Sequence, residues 1–203
     1  MKEIKKPAKK GNFQMKKFFT HCLILTFLIN ASNLLAEPQI RPAKWAQPMI
    51  GSSLKNWHQL DKKLYRSSQP SKEEFQEIES FGISAVLNLR KHHSAKDEAL
   101  NTKLKLYSIP MEADELSYED LVKALRIIAQ EKGSILVHCW HGSDRTGAIC
   151  AAYRIVFQNW TKEEAITEMM LGGYGFHSMF DNIPQLIKNI DVEELKKDIN
   201  QSS

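Results

Sequence analysis

The feature that most restricts the fold of this chain lies at residues 134–147, where an apolar run, a short loop and a helical pattern follow one another. Residues 134–138 have the sequence SILVH, a run typical of a strand buried inside a sheet. The loop after it contains Gly142, and a helix is predicted from about 146 to 157. A buried strand joined to a helix by a short loop is typical of α/β architecture.

Strand and helix patterns alternate along most of the chain. Ser71 with Glu74 and Thr161 with Glu164 have the spacing of capping boxes, which start helices. We therefore predict an α/β fold with a central, mostly parallel sheet flanked by helices. The predicted strands are 64–67, 83–89, 103–109 and 134–138, and the predicted helices are 71–82, 117–133, 146–157, 161–172 and 182–197.

The N-terminal 36 residues have the pattern of an export signal. From Met15, two lysines precede an uncharged apolar stretch, and a more polar segment ends at Ala36. We predict a signal peptide at 1–36, with Met15 as an alternative start, a proline-bearing linker at 37–49 and one domain at 50–203. The mature protein is expected in the periplasm and not bound to the membrane. The alternatives are secretion from the cell and retention of the N-terminal segment as a membrane anchor.

Charge and cysteine content exclude several classes of protein. The formal net charge is +4, and much of the excess lies before residue 18, so no basic stripe or nucleic-acid motif is left in the domain. Three cysteines are too few for a disulfide scaffold, and Cys22 lies in the predicted signal peptide. Cys150 is predicted to be a packed core thiol, with a disulfide to Cys139 as the alternative.

The loop itself predicts binding of a phosphate group. Residues 138–147 have the sequence HCWHGSDRTG, in which five residues separate Cys139 from Arg145. Backbone N–H groups of such a loop form a nest for an anion, and the helix N-terminus adds partial positive charge. The planar guanidinium of Arg145 can grip two phosphate oxygens, as lysine cannot. The predicted substrate-binding residues are Trp140, His141, Gly142, Ser143, Asp144 and Arg145.

Cys139 is the candidate nucleophile at this loop. The helix terminus and nearby cations favour the thiolate form, which would attack phosphorus and form a phosphocysteine. Thr146 can donate its hydroxyl to the sulfur and assist the second step. His138 is expected to shape the loop, and Trp140 and His141 either line the pocket mouth or point to solvent.

The pattern His-Cys-(x)5-Arg-Thr-Gly resembles the signature of the protein-tyrosine phosphatase superfamily. Residues 64–90 and 151–177 are similar to the atypical dual-specificity group, especially to its bacterial periplasmic members. The resemblance implies the protein-tyrosine/dual-specificity phosphatase fold, a shallow pocket, and no metal or other cofactor. Arg66, Ser67 and Gln69 recur in the pattern of this group and are expected to be scaffold residues near the site, with substrate contact as the alternative. Arg90 is expected to be an ion-pair partner.

In this superfamily the leaving oxygen receives its proton from an aspartate on a separate loop. The corresponding segment has the sequence IPMEADE at residues 109–115. We expect Asp114 to be the general acid, with Glu112 and Glu115 as alternatives, because the segment departs from the Trp-Pro-Asp form.

Three functions follow from these residues. The first is hydrolysis of protein phosphotyrosine, or of phosphoserine and phosphothreonine, and the second is hydrolysis of a small molecule such as an inositol phosphate or phosphoinositide. Asp144 and the lack of additional basic residues in the loop disfavour very highly charged substrates. The third is a non-catalytic phosphate-binding module, which the intact Cys139, Arg145 and Thr146 disfavour.

Overall fold

A central sheet organises the computed structural model, which describes residues 41–201. Its strands are Gln47–Pro48 (β1), His58–Gln59 (β2), Leu64–Ser67 (β3), Ala85–Arg90 (β4), Lys105–Met111 (β5) and Ile135–His138 (β6). Their order in the sheet is β1-β2-β3-β6-β4-β5. The pairs β3–β6, β6–β4 and β4–β5 are parallel, whereas β1–β2 and β2–β3 are antiparallel. The prediction of a mostly parallel sheet is therefore confirmed, and the antiparallel edge consists of two-residue strands.

Helices flank this sheet, and none in the described part of the chain combines the length and the apolar character needed to cross a bilayer. The predicted capping boxes at Ser71 and Thr161 are both formed. The helices are Lys72–Ser80 (α1), Tyr118–Gln130 (α2), Asp144–Gln158 (α3), Lys162–Leu171 (α4), Asn182–Asn189 (α5) and Val192–Asn200 (α6).

The prediction of one continuous helix over 182–197 is wrong. The structure has two helices there, separated by Ile190, whose ψ is 138°. The carboxylate of Asp191 accepts hydrogen bonds from the N–H groups of Glu193 and Glu194, both at 3.0 Å, and so starts a new helix.

Alternate residues of the central strands enter two apolar clusters. Leu87 and Val137 contribute to the larger cluster, which contains the apolar faces of α2 to α6. Val86 and Leu136 contribute to the smaller cluster, together with Phe75 of α1. Because β6 lies between β3 and β4 and is covered on both faces, the position of its carboxyl end is fixed by packing from all sides.

The boundary predicted at residue 50 is too late, because residues 41–49 are part of the folded unit. Ala46 is fully buried, and its N–H donates to the carboxylate of Glu168 at 2.5 Å. Strand β1 is the edge of the sheet. The proline content that indicated a linker here instead suits a short edge strand, where Pro48 need not donate a ladder hydrogen bond. The predicted signal peptide at 1–36 and the start of the linker lie outside the described residues.

Candidate active site

The Cys139 loop lies at the carboxyl end of β6, between the ends of β3 and β4. This edge of a parallel sheet is where α/β proteins bind ligands. Helix α3 begins at Asp144, two residues before the predicted start. The first turn of the helix therefore includes Arg145 and Thr146, whose N–H groups have no partner within the helix.

Cys139 lies at the base of this loop and is only 1% exposed. Its carbonyl oxygen is 3.1 Å from Nδ1 of His138. Since a carbonyl can only accept, Nδ1 carries the proton. Burial lowers the pKa of His138 to about 4, so its ring is neutral near pH 7. A buried neutral ring that fixes the carbonyl of Cys139 is the geometry that the predicted loop-shaping role requires.

The outer side of the loop is bonded to the scaffold. The carbonyl oxygen of residue 140 accepts a hydrogen bond from the backbone N–H of Gln69 at 3.0 Å. The carbonyl oxygens of residues 141 and 142 accept from the side-chain amide of Asn56 at 2.8 Å and from the guanidinium of Arg66 at 2.5 Å. In a planar trans peptide the N–H points opposite to the carbonyl. The N–H groups of residues 141–143 therefore point to the inner side of the loop, which is the arrangement of an anion nest.

Gly142 is required by both conformation and space. Its φ is +72°, a region that side chains disfavour. A Cβ placed there would lie 2.7 Å from the backbone nitrogen of Ser68 and would overlap the carbonyl of Ser67. The loop can approach the end of β3 this closely only with glycine at this position.

Arg145 and Thr146 retain unused polar atoms. One guanidinium nitrogen of Arg145, Nη1, donates to the carbonyl of Met111 at 3.1 Å. Nε of Arg145 and the hydroxyl of Thr146 are buried and have no hydrogen-bond partner among the described residues. Buried polar groups normally have partners, so these two atoms are suited to contact a bound group.

Asp144 is turned away from the loop interior. Its buried carboxylate accepts hydrogen bonds from the backbone N–H and from Nδ1 of His177, both at 2.9 Å. The negative charge that was expected to disfavour highly charged substrates is thus directed at His177. Ser143 is also engaged elsewhere, because its hydroxyl donates to the carbonyl of Tyr174 at 2.6 Å. These two residues can contact an anion through their backbone.

Arg90 was expected to be an ion-pair partner, but the structure places it at the site. No carboxylate lies within salt-bridge distance of it in the part of the chain that the structure describes. Its guanidinium lies 4.1 Å from the ring centre of Trp140 and donates to the side chain of Gln69 at 2.5 Å. Partial burial, followed by the positive charge of Arg145, lowers the pKa of Arg90, whereas Cys139 raises it. Its position at the carboxyl end of a parallel strand was the signal available in the sequence.

Two cavities flank Trp140, whose ring is 52% exposed. Trp140 lines both cavities and is also half exposed to solvent, so the structure agrees with both positions that were expected for it. The larger cavity, of about 780 Å³, is lined by Lys55, Asn56, Ser68, Gln69, Arg90, His93, Glu98, Trp140, His141, Ser143, Tyr174, Gly175 and His177. The smaller cavity, of about 240 Å³, is lined by Arg90, Lys91, His92, Glu112, Trp140 and Arg145.

The three candidate general acids lie in the turn after β5. Asp114 and Glu115 are exposed, whereas Glu112 lines the smaller cavity together with Arg145. The carboxylate of Glu112 lies 3.6 Å from Nζ of Lys91. The turn is attached to the rest of the domain through the carbonyl of Ala113, which accepts from Asn182 at 2.8 Å.

Cys150 lies in the core, as predicted. It is 4% exposed, and burial raises its pKa to about 11, so it is an inert protonated thiol near pH 7. Cys139 and Cys150 are both free thiols in the structure.

Comparison with known proteins agrees with this geometry. The model of the family "Dual specificity phosphatase, catalytic domain" matches residues 64–188, which include the Cys139 loop and the turn after β5. The dual specificity protein phosphatase TpbA of Pseudomonas aeruginosa strain UCBPP-PA14 is 30% identical over 160 residues, covering 77% of this chain and 71% of the relative.

Two further matches differ in the phosphorylated compound that their names give. A solved structure of P. aeruginosa TpbA in complex with pTyr has a TM-score of 0.71 and 27% identity, covering 80% of this chain and 99% of that chain. The inositol diphosphatase DSP5 of Arabidopsis thaliana is 28% identical over 129 residues, covering 56% of this chain and 59% of the relative.

Proposed function

This chain belongs to the dual specificity phosphatase family, and we propose that it removes phosphate from phosphotyrosine in proteins, with Cys139 as the nucleophile. As a member of this family it is a phosphoric monoester hydrolase. The catalytic residues, the intermediate and the preferred substrate are the parts that we propose.

The observation that carries the proposal is the orientation of the loop. Three carbonyl groups at residues 140–142 are bonded outward to the scaffold, so that N–H groups line its inner side. In the part of the chain that the structure describes, the buried Nε of Arg145 has no hydrogen-bond partner, and the buried Cys139 lies at the base of the loop. Donors fixed before substrate arrives stabilise the charge that develops in the transition state.

The proposed reaction has two steps. The thiolate of Cys139 attacks phosphorus, and a sulfur–phosphorus bond forms while the bond to the ester oxygen breaks. The electron pair goes to that oxygen, which takes a proton from the general acid. Water then gives a proton to the carboxylate that the first step left and attacks the phosphocysteine. The sulfur–phosphorus bond breaks with its electron pair on sulfur, which restores the thiolate, and inorganic phosphate is released. Thr146, whose hydroxyl has no hydrogen-bond partner among the described residues, donates it to the departing sulfur.

Asp114 is our proposed general acid, and Glu112 is the alternative that one observation favours. Glu112 shares the smaller cavity with Arg145, whereas Asp114 and Glu115 are exposed. Asp114 lies three residues after Met111, whose carbonyl accepts from Arg145, so the strand end that leads into its turn is joined to the site.

Phosphotyrosine is favoured as the substrate by the exposed ring of Trp140 at the cavity mouth, which offers a face to an aryl group. The TpbA structure in complex with pTyr supports the same choice by similarity. A small polyphosphorylated molecule is the second candidate. It is favoured by the basic side chains of Lys55, Arg90 and Lys91 around the two cavities and by the inositol diphosphatase relative.

We also propose that the protein is exported to the periplasm. The support for this is the signal pattern of residues 15–36.

The test measures phosphate release by the protein and by Cys139→Ser under reducing conditions. The panel contains p-nitrophenyl phosphate, phosphotyrosine, phosphoserine and phosphothreonine peptides, and inositol phosphates. We expect the highest kcat/KM on phosphotyrosine peptides and no turnover by Cys139→Ser. A preference for inositol phosphates would favour the second candidate, and turnover retained by Cys139→Ser would reject the cysteine mechanism.

A further inference from the structure

Residues 41–46, which we call the arm, lie before the region matched by the family model. The arm is bound to the domain by buried contacts. The guanidinium of Arg41 donates through Nη1 to the carbonyl of Gly172 and through Nε to the carbonyl of Ala46, both at 2.6 Å. Its third nitrogen, Nη2, donates to the hydroxyl of Tyr174. Arg41 therefore joins the arm to the segment that follows α4.

Tyr174 is the residue at which these contacts meet. It is 1% exposed, and its hydroxyl donates to the carboxylate of Glu168 at 3.0 Å. The same carboxylate oxygen accepts from the N–H of Ala46 at 2.5 Å and from Arg154 at 3.0 Å. Burial raises the pKa of Tyr174, so its hydroxyl keeps the proton that it donates. The hydroxyl is thus held by the arm and by a buried ion pair at once.

The other end of Tyr174 contacts the groups that hold the Cys139 loop. Its ring lies 3.5 Å from the guanidinium carbon of Arg66, which donates to the carbonyl of Gly142. Its carbonyl accepts from the hydroxyl of Ser143 at 2.6 Å and from Asn56 at 2.9 Å. Asn56 in turn donates to the carbonyl of His141. Tyr174 therefore supports two of the three outward carbonyl contacts as well as the side chain of Ser143.

We infer that Arg41 is a positioning residue for the phosphate loop and that it acts through Tyr174. The orientation of the loop N–H groups depends on the outward carbonyl contacts, and these depend on Arg66 and Asn56. The ring and carbonyl of Tyr174 keep both donors in place, and Arg41 fixes the hydroxyl of Tyr174. Release of the arm would weaken phosphate binding although no arm residue reaches the loop.

This inference rests on the proposed function, because turnover is one of its readouts. We would therefore measure two quantities on the full chain: kcat and KM for p-nitrophenyl phosphate, and the inhibition constant of inorganic phosphate. Three variants form a double-mutant cycle: Arg41→Gln, Tyr174→Phe and the double variant. Tyr174→Phe keeps the ring over Arg66 and the backbone carbonyl but removes the hydroxyl that Arg41 contacts.

We expect each single variant to lower kcat/KM about tenfold and to raise the phosphate inhibition constant. Each one removes the same contact between Arg41 and the hydroxyl of Tyr174. The double variant should lose about the same tenfold and not the hundredfold that independent effects would give. Arg41→Lys retains the charge but not the planar fork of donors, so its kcat/KM should fall less than that of Arg41→Gln. Lys44→Gln, in the same arm, removes the exposed contact of Lys44 with Glu164 of α4. Its kcat/KM and phosphate inhibition constant should match those of the unmodified protein.

Thermal unfolding of each variant confirms that it is folded under the assay conditions. If Arg41→Gln does not fold, Tyr174→Phe and Arg41→Lys still decide the question. Unchanged kinetics in these variants, or multiplicative losses in the double variant, would overturn the inference while the unmodified protein remained active. An inactive unmodified protein would instead contradict the proposed function, and the phosphate inhibition constant would then be replaced by direct calorimetric binding of inorganic phosphate.

Discussion

The phosphate loop at residues 139–145 and the acid turn at residues 112–115 are held in very different ways. The carbonyl groups of residues 139–142 all accept hydrogen bonds from the scaffold, and the loop leads directly into α3. In the acid turn, Asp114 and Glu115 are exposed, and the carbonyl of Ala113 is the attachment to α5. The loop is built as part of the core, whereas the turn joins the core through the buried Ala113 and exposes Asp114 and Glu115.

This difference corresponds to two chemical requirements. Donors that stabilise charge on phosphorus act best when their positions are fixed before the reaction. A proton donor must instead reach an oxygen whose place depends on the substrate, and segments that close over a site are less tightly held. Substitutions in the loop should therefore lower activity and stability more than substitutions in the turn.

The largest effect is expected for Arg145→Lys, which keeps the charge but loses the planar fork. We expect kcat/KM for p-nitrophenyl phosphate to fall about 10³-fold, because a lysine cannot contact two phosphate oxygens in the plane of the transition state. Arg90→Lys is the matched control. Arg90 stacks on Trp140, and its loss should cost about tenfold or less. Little loss in both variants would show that positive charge alone is sufficient at this site, because lysine keeps the charge of arginine.

Next in size is the effect of Gly142→Ala, which tests how tightly the loop is held against β3. The added Cβ would overlap backbone atoms of Ser67 and Ser68 at a φ of +72°. Gly173→Ala is the matched control, because Gly173 has a φ of +77° and its Cβ would meet nothing within 4 Å.

We expect the free energy of unfolding to fall by about 3 kcal/mol for Gly142→Ala and about 1 kcal/mol for Gly173→Ala, measured by urea denaturation. Phosphate inhibition should weaken only in Gly142→Ala. Equal losses of stability would mean that the loop can move away from β3, and the contrast with the acid turn would then be smaller than the contacts suggest.

The sequence was sufficient to predict the parts of the site that are local in the chain. Cys139, Gly142 and Arg145 occur in one run after a strand pattern, and local spacing is enough to define a loop between a strand and a helix. Arg90 and His177 were not predicted at the site, although both lie there. Their places depend on the strand order and on the segment after α4, which bring together residues distant in sequence. The same reason explains the arm: the prolines of residues 37–49 indicated a linker, and only tertiary packing shows the buried contact of Ala46 with Glu168.

The third prediction distinguishes Asp114 from Glu112 as the general acid. Removing the acid should lower kcat little for a good leaving group such as p-nitrophenol and about 10²-fold for phenyl phosphate, since only the poor leaving group needs a proton. We expect this pattern for Asp114→Asn. Glu112→Gln, which also loses the contact with Lys91, should lower both rates by a similar small factor. The reverse result would assign the acid to Glu112 and would place the proton donor in the more enclosed part of the turn.

The smallest expected effect concerns His138, whose ring contacts the carbonyl of Cys139 at the base of the loop. Its pKa in the folded protein is about 4 and its ordinary value is 6.5, because burial disfavours the charged ring. The unfolded chain therefore binds more protons than the folded protein between these values. The contribution of His138 to the free energy of unfolding is retained above about pH 6.5 and declines as the pH falls toward 4. Between pH 7.5 and 6, this histidine should account for a loss of about 1 kcal/mol.

Urea denaturation at several pH values measures this loss. The free energy of unfolding of His138→Gln should depend less on pH than that of the unmodified protein. Burial also lowers the pKa of His58 to about 4, so His58 should account for part of the pH dependence that remains. His92→Gln is the control, because the ring of His92 is 82% exposed. An unchanged slope in His138→Gln would show that the ring gains a proton without disturbing the fold. In that case the carbonyl of Cys139 would not need a neutral donor, and the base of the loop would tolerate change as readily as the acid turn.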